Sequence, residues 1–107
     1  MVINDPAYMA MARAADGSEL AFDALECLIK TQRRRPITGV LVSDFENPGT
    51  WIPAEQAVIA RAGFPSPMGG GYAAFASPAR AEAAVAARGG VLGSLADFVA
   101  GRVKEAP

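Results

Sequence analysis

The side chains in this sequence that could bind a metal carry sulfur, and no histidine accompanies them. The chain has four methionines and one cysteine but no histidine in 107 residues. Met1 opens the run 1–6, and Met68 lies in the turn-like segment 67–72, where an apolar thioether has no evident packing role. Thioethers are soft ligands that suit Cu(I). These two methionines indicate a small metal-handling or binding domain rather than an enzyme.

Cys27 is the only cysteine, and its sequence context favours a packed, inert side chain over a nucleophile. A catalytic cysteine normally needs a neighbouring base, usually histidine, which this chain lacks. Free cysteine on the apolar side of a helix is among the most buried residue types. The carboxylates Asp5, Asp23, Asp44 and Glu46 show no spacing that selects a catalytic pair. We therefore expect no enzymatic activity.

Other common site types fit the sequence poorly. The glycines at 69–71 precede a predicted strand and lack a following Lys-Ser or Lys-Thr, so we expect a loop with unusual backbone angles, not a phosphate cradle. One cysteine without histidine cannot complete a standard zinc site, and segment 44–47 is too short a carboxylate cluster for a hard cation. The net charge of −1 gives no reason to expect nucleic acid, and the basic run 33–35 predicts a helix C-terminus.

Met9 and Met11 are the remaining sulfur pair. They alternate on a predicted strand, so their side chains share one face. Such a pair can bind Cu(I), but packing is the commoner use of methionine, and it is the favoured interpretation here.

The elements that must position these residues alternate between short strands and capped helices. Strands are predicted at about 7–14, 18–22, 38–43, 57–62 and 72–76, with a further extended stretch from 51. Asp23 as N-cap with Glu26 in a capping box predicts a helix over about 24–34, closed by Pro36. Capping serines at Ser77 and Ser94 start two more helices, the first of which runs to about residue 88.

The order strand, turn, strand, capped helix occurs twice, with the second strands ending in Phe22 and Phe75. The length fits a single domain over residues 1–107. The pattern predicts an α+β fold of two ββα-type units, with small antiparallel sheets packed against helices. An internal pseudo-repeat of about 1–45 and 50–107 is expected on the same grounds.

An ordered set of motifs runs through most of the chain. The motifs are Val-Ser-Asp-Phe (42–45), Trp-Ile-Pro-Ala-Glu-Gln-Ala (51–57), Pro-Met-Gly-Gly-Gly-Tyr-Ala-Ala-Phe-Ala (67–76), Ala-Glu (81–82) and Gly-Gly (89–90). Phe-Asp at 22–23, Cys-Leu at 27–28 and the opening run 1–6 continue the set upstream. This set resembles the NosL family, accessory proteins of nitrous oxide reductase that are regarded as copper chaperones for its copper-sulfide centre. The resemblance implies the same fold of two ββα-type units.

The resemblance also implies a Cu(I) site. Met1 matches the methionine of the family's Cys-Gly-Met motif, and Met68 lies in its Pro-Met-Gly motif. Cu(I) would be cargo held by Met1, Met68 and Cys27 and passed by ligand exchange. The recipient would be the nitrous oxide reductase apoprotein or another copper-handling protein. The family is periplasmic and membrane-anchored as a lipoprotein, whereas the sequence as given begins at the motif methionine, without the motif cysteine, export signal or lipid-attachment cysteine.

A metal-free interaction domain is the alternative from a different class. Met1, Met68, Phe64 and Tyr72 would then form an apolar patch that docks a partner or a second copy as a homodimer. The absence of the motif cysteine favours this alternative. Copper retention and a concentration-dependent dimer distinguish the two hypotheses.

Overall fold

The computed structural model describes residues 6–64 and 70–103, which form short strands and helices in alternation. In chain order the elements are a 3-10 turn (Pro6–Tyr8), β1 (Ala10–Ala14), β2 (Glu19–Phe22), α1 (Leu25–Arg34), β3 (Ile37–Ser43), β4 (Trp51–Pro53), a second 3-10 turn (Ala54–Gln56), β5 (Val58–Arg61), β6 (Tyr72–Phe75), α2 (Pro78–Arg88), β7 (Val91–Gly93) and α3 (Leu95–Val99). Within the described ranges, none of the helices is long and apolar enough to cross a membrane.

The strands form two antiparallel sheets with matching internal order. Sheet A has the order β2-β1-β3-β4, and sheet B has the order β6-β5-β7. In each sheet the first strand lies between the strand that follows it and the strand that comes after the helix. A parallel bridge between Asp44 and Ala74 joins the two sheets at their ends. The predicted α+β class with two ββα-type units is confirmed.

Two clusters of buried side chains attach the sheets to the helices. The first lies between α1, α3, the inner face of sheet A and one face of sheet B, and includes Leu28, Val42, Ile59 and Phe98. The second lies between the other face of sheet B and α2, and includes Phe75. All four residues of β6 are buried, whereas β1 alternates between buried and exposed positions. Sheet B is therefore covered on both faces, and sheet A on its inner face.

The start of the first predicted strand and the first predicted helix cap were wrong. Residues 6–8 form a 3-10 turn with Tyr8 buried, so β1 begins only at Ala10. Helix α1 has Ala24, not Asp23, as its N-cap, and no side chain caps it. The Glu26 carboxylate, which the sequence placed in a capping box, instead accepts a hydrogen bond from a distant segment. Strand β7 was not predicted, because its three residues carry too short a pattern.

The other two helix starts follow their local signals. Ser77 Oγ accepts the Arg80 N–H, and Ser94 and Asp97 form the predicted capping box. The Ser94 backbone N–H, followed by the Arg102 guanidinium, lowers the pKa of the Asp97 carboxyl. Both caps satisfy backbone N–H groups that have no partner inside the helix.

Arg33 connects the end of α1 to the end of α3. Its Nε donates to the Val99 carbonyl at 2.9 Å, and its Nη2 donates to the Phe98 carbonyl at 2.7 Å. The last carbonyls of a helix lack intrahelical partners and carry partial negative charge, so a guanidinium suits them. The basic run 33–35 lies at the C-terminal end of α1, as predicted, and its first member also caps a second helix.

Replacing Arg33 by alanine should lower the free energy of unfolding by about 1–2 kcal/mol. Hydrogen bonds from charged donors contribute roughly 1.5–3 kcal/mol when protected, and less near solvent. Arg34→Ala, one position along the same exposed turn, is the matched control and should cost no more than about 0.5 kcal/mol. Urea denaturation measures both, and equal losses would contradict the proposed link between α1 and α3.

Candidate functional site

Cys27 lies in the first turn of α1 at the edge of its buried face. Its neighbours Leu25 and Leu28 are buried, whereas Cys27 is a free thiol of intermediate exposure. Partial burial raises the pKa of the Cys27 thiol, and the Glu26 carboxylate raises that pKa further, against an opposing effect of Lys30. The thiol is therefore protonated at neutral pH. A soft metal has to displace this proton in order to bind.

A hydrogen bond joins the first turn of α1 to the glycine-rich segment. The Gly70 N–H donates to Glu26 Oε1 at 3.2 Å. From the other side, Arg61 Nε donates to the Gly70 carbonyl at 3.0 Å, and the Ala62 N–H donates to the Gly71 carbonyl at 2.9 Å. The segment 70–71 is therefore fixed between α1 and β5, and it lies next to the turn that carries Cys27.

Gly71 is the position in this segment that requires glycine. Gly71 has φ of 75°, in the left-handed region, and a Cβ there would collide with the Ala62 carbonyl. A Cβ at Gly70 would instead meet the end of the flexible Glu26 side chain, which can shift aside. The unusual backbone angle predicted for the glycine run is found at Gly71, while Gly69 lies outside the described residues.

Gly71→Ala should destabilise the protein more than Gly17→Ala. Both glycines have positive φ, at 75° and 88°, and a Cβ in that region costs about 1–2 kcal/mol. No described atom lies within 4 Å of a Cβ at Gly17, whereas at Gly71 it meets the Ala62 carbonyl. We expect a loss of about 1–2 kcal/mol for Gly17→Ala and about 3 kcal/mol or more for Gly71→Ala, by urea denaturation. Equal losses would show that segment 70–71 is not tightly held.

The predicted site residues fall into two groups. Cys27 is described above, whereas Met1 and Met68 lie outside the described residues, as does Asp5. Within residues 6–64 and 70–103, no group of three or more His, Cys, Asp or Glu side chains is placed to hold a metal ion. Asp44 is buried, and its carboxylate accepts hydrogen bonds from Glu46 N–H at 3.0 Å and from Asn47 Nδ2 at 3.4 Å. Its role there is to fix the loop after β3.

The apolar patch considered for a metal-free interaction domain is wrong in two of its members. Phe64 is 4% exposed, and Tyr72 is 8% exposed. Phe64 packs edge-on against Phe45 with ring centroids 4.9 Å apart, and Arg88 covers its ring at 4.6 Å. Tyr72 packs edge-on against Phe98 at 5.3 Å, with Arg61 over its ring. Both aromatic side chains belong to the core, because long-range partners cover them.

Met9 and Met11 lie on the outer face of sheet A. Met9 directly precedes β1 and is half-buried, whereas Met11 is exposed within the strand. The buried Ala10 and Ala12 alternate with them and point to the core. This alternation places Met9 and Met11 on one face, as predicted, but the favoured interpretation of core packing is wrong for Met11, which is exposed.

The functional residue that the sequence did not reveal is Glu26. Its position fitted a capping box, and no local signal indicates that its acceptor oxygen is used by a glycine 44 positions away. Together Glu26 and Arg61 hold Gly70 between α1 and β5, next to the helix turn that carries the Cys27 thiol. No protein-family model, curated protein or solved structure matches the chain.

Proposed function

We propose that this chain binds Cu(I) through Cys27 and Met68, with Met1 as a further thioether ligand, and passes the ion to a partner protein. The hydrogen bond between Gly70 and Glu26 is the observation that carries the proposal. Cys27 directly follows Glu26, and Met68 precedes Gly70 by two positions. Covalent geometry limits the separation of the Cα atoms of residues 68 and 70 to about 7 Å. The proposal is that the Met68 thioether shares a site with the Cys27 thiol, since two sulfur ligands suit a soft metal such as Cu(I).

The raised thiol pKa suits a transfer protein. As Cu(I) binds, the Cys27 sulfur forms a bond to the metal and its proton leaves to water. Because the proton competes with the metal, the complex is weaker than one with a preformed thiolate. A recipient with more thiolates, or with thiols of lower pKa, can then take the ion by ligand exchange.

The resemblance to the NosL family supplies the biological setting of the proposal. It makes the recipient the nitrous oxide reductase apoprotein or another copper-handling protein. It also implies a periplasmic, lipid-anchored setting, as in that family. These assignments rest on the sequence motifs, and an experiment that tests copper binding does not test them.

Two substitutions of Glu26 test whether its bond to Gly70 supports the copper site. Glu26→Ala removes the acceptor, so we expect Cu(I) affinity to fall about tenfold. Glu26→Gln keeps an acceptor oxygen and removes the charge that raises the Cys27 pKa, so its affinity should be at least that of the original chain. Competition with a chromophoric Cu(I) chelator measures both variants. Equal affinities for the two variants would remove the bond from the mechanism.

A further inference from the structure

The outer face of sheet A carries an apolar row that crosses all four strands. Met11 pairs with Ala21 on β2 and with Leu41 on β3, and Leu41 pairs with Pro53 on β4. Directly paired residues on neighbouring strands point to the same side of a sheet. The row Ala21–Met11–Leu41–Pro53 therefore lies on the face turned away from α1, because Ala10 and Ala12 occupy the inner face.

This row departs from the usual pattern of a solvated sheet face. An antiparallel sheet with one wet face normally places polar side chains there. Met11 is instead 36% exposed. Among the described residues it is the one large hydrophobic side chain that is exposed. Met11 and its apolar neighbours Ala21 and Leu41 thus form a small apolar patch on this face.

The outer face of sheet A is self-complementary in shape and in charge. A concavity of about 360 Å³ lies beside Met11, where the small residues Ala21 and Gly39 form part of its lining. Next to it, Arg13 on β1 and Glu19 on β2 pair across the strands, with Nη2 and Oε1 3.6 Å apart. The pair Met11–Ala21 thus combines a long side chain with a small one, and the pair Arg13–Glu19 combines a cation with an anion.

We infer that two copies of the chain associate through the outer faces of sheet A about a twofold axis parallel to the strands, between β1 and β2. In a twofold interface, residue i of one copy meets residue j of the other, and residue j meets residue i. This axis therefore places each Met11 over Ala21 of the second copy and each Arg13 opposite Glu19 of the second copy. A second copy is therefore the inferred partner, because both Met11 and the charged pair meet complementary residues on its outer face.

The interface is small, so the association should be weak. The axis lays β1 and β2 of one copy over β2 and β1 of the other, a strip two strands or roughly 10 Å wide, so the contact is smaller than a standard specific interface. We expect a dissociation constant in the micromolar range or weaker. Sedimentation equilibrium of the full chain, with a chelator present to exclude metal effects, should show a reversible dimer by about 1 mM.

Substitutions on the face test the packing part of the inference. Met11→Glu should weaken the dimer at least about tenfold, because it buries an unpaired carboxylate against an apolar row. Ala86→Glu, which adds the same charge at an exposed position of α2, is the matched control and should leave association unchanged. A chain that stays monomeric throughout, or a Met11→Glu variant that dimerises normally, would overturn the inference.

A charge exchange tests the axis itself and does not depend on Met11. Arg13→Glu and Glu19→Arg should each weaken the homodimer, because like charges then face each other. Mixing the two variants places two glutamates against two arginines, so a heterodimer should form at least as tightly as the original dimer. Circular dichroism checks that both variants are folded. Failure of the mixture to associate more tightly than either variant alone would exclude this axis.

Discussion

Phe75→Ala should destabilise the protein by about 3–5 kcal/mol, the range expected when a buried aromatic side chain is truncated in a packed core. Phe75 is 1% exposed on β6, and its ring centroid lies 5.5 Å from that of Phe45 and 6.1 Å from that of Phe64. Alanine removes these contacts and leaves a cavity between sheet B and α2. Because small domains have only about 5–15 kcal/mol of stability, this loss is a large share of the free energy of unfolding.

Phe75→Leu is the matched control, since it keeps most of the apolar volume and loses mainly the aromatic contacts. We expect it to cost about 1–2 kcal/mol. The denaturant midpoints of both variants and the original chain give the two losses. A loss below about 1 kcal/mol for Phe75→Ala would mean that the second core cluster is not tightly packed.

Cys27→Ser should reduce Cu(I) affinity by about 100-fold or more, while leaving the fold intact. Serine is close in size but offers a hard oxygen in place of the sulfur, and the copper complex loses the charge-neutralising thiolate. Loss of even an indirect partner of a metal ligand typically costs 10–100-fold, so loss of a ligand should exceed that range. Met11→Leu, which removes a thioether on the opposite side of sheet A from α1, is the control and should leave affinity unchanged.

The pH dependence of copper binding follows from the raised pKa of Cys27. Below that pKa the thiol is protonated, so the apparent Cu(I) affinity should rise about tenfold for each unit of pH. Above it the slope should vanish, and Cys27→Ser should show no such slope at any pH. The same shift affects folding. The neutral thiol stabilises the folded chain below the ordinary thiol pKa, and this contribution is lost as the pH rises through the raised pKa.

Elements specified by neighbouring residues could be predicted from the sequence. Helices α2 and α3 begin where Ser77 and Ser94 accept backbone N–H groups a few residues later. Strands β2, β5 and β6 follow the alternation of their side chains or their unbroken apolar runs, which reports burial directly. The repeated order of these signals was enough to predict two ββα-type units.

Features specified by distant residues could not be predicted. Glu26 satisfies a local capping pattern, yet its partner Gly70 is 44 positions away. Arg33 caps α3 across 65 positions, and Phe64 is buried by aromatic rings that the fold brings together. In each case the side chain has a plausible local role, and a contact formed only in the tertiary structure overrides that role. The candidate site depends on such a contact, which is why the sequence named Cys27 and Met68 without the residue that links their segments.

X-ray absorption spectroscopy of the Cu(I)-loaded chain tests the central claim most directly, because it identifies the atoms bound to the metal. We expect a coordination shell made of sulfur, with one sulfur fewer in Cys27→Ser and one fewer in Met68→Leu. A shell of nitrogen or oxygen atoms, or a sulfur shell that neither substitution changes, would contradict a copper site at Cys27 and Met68.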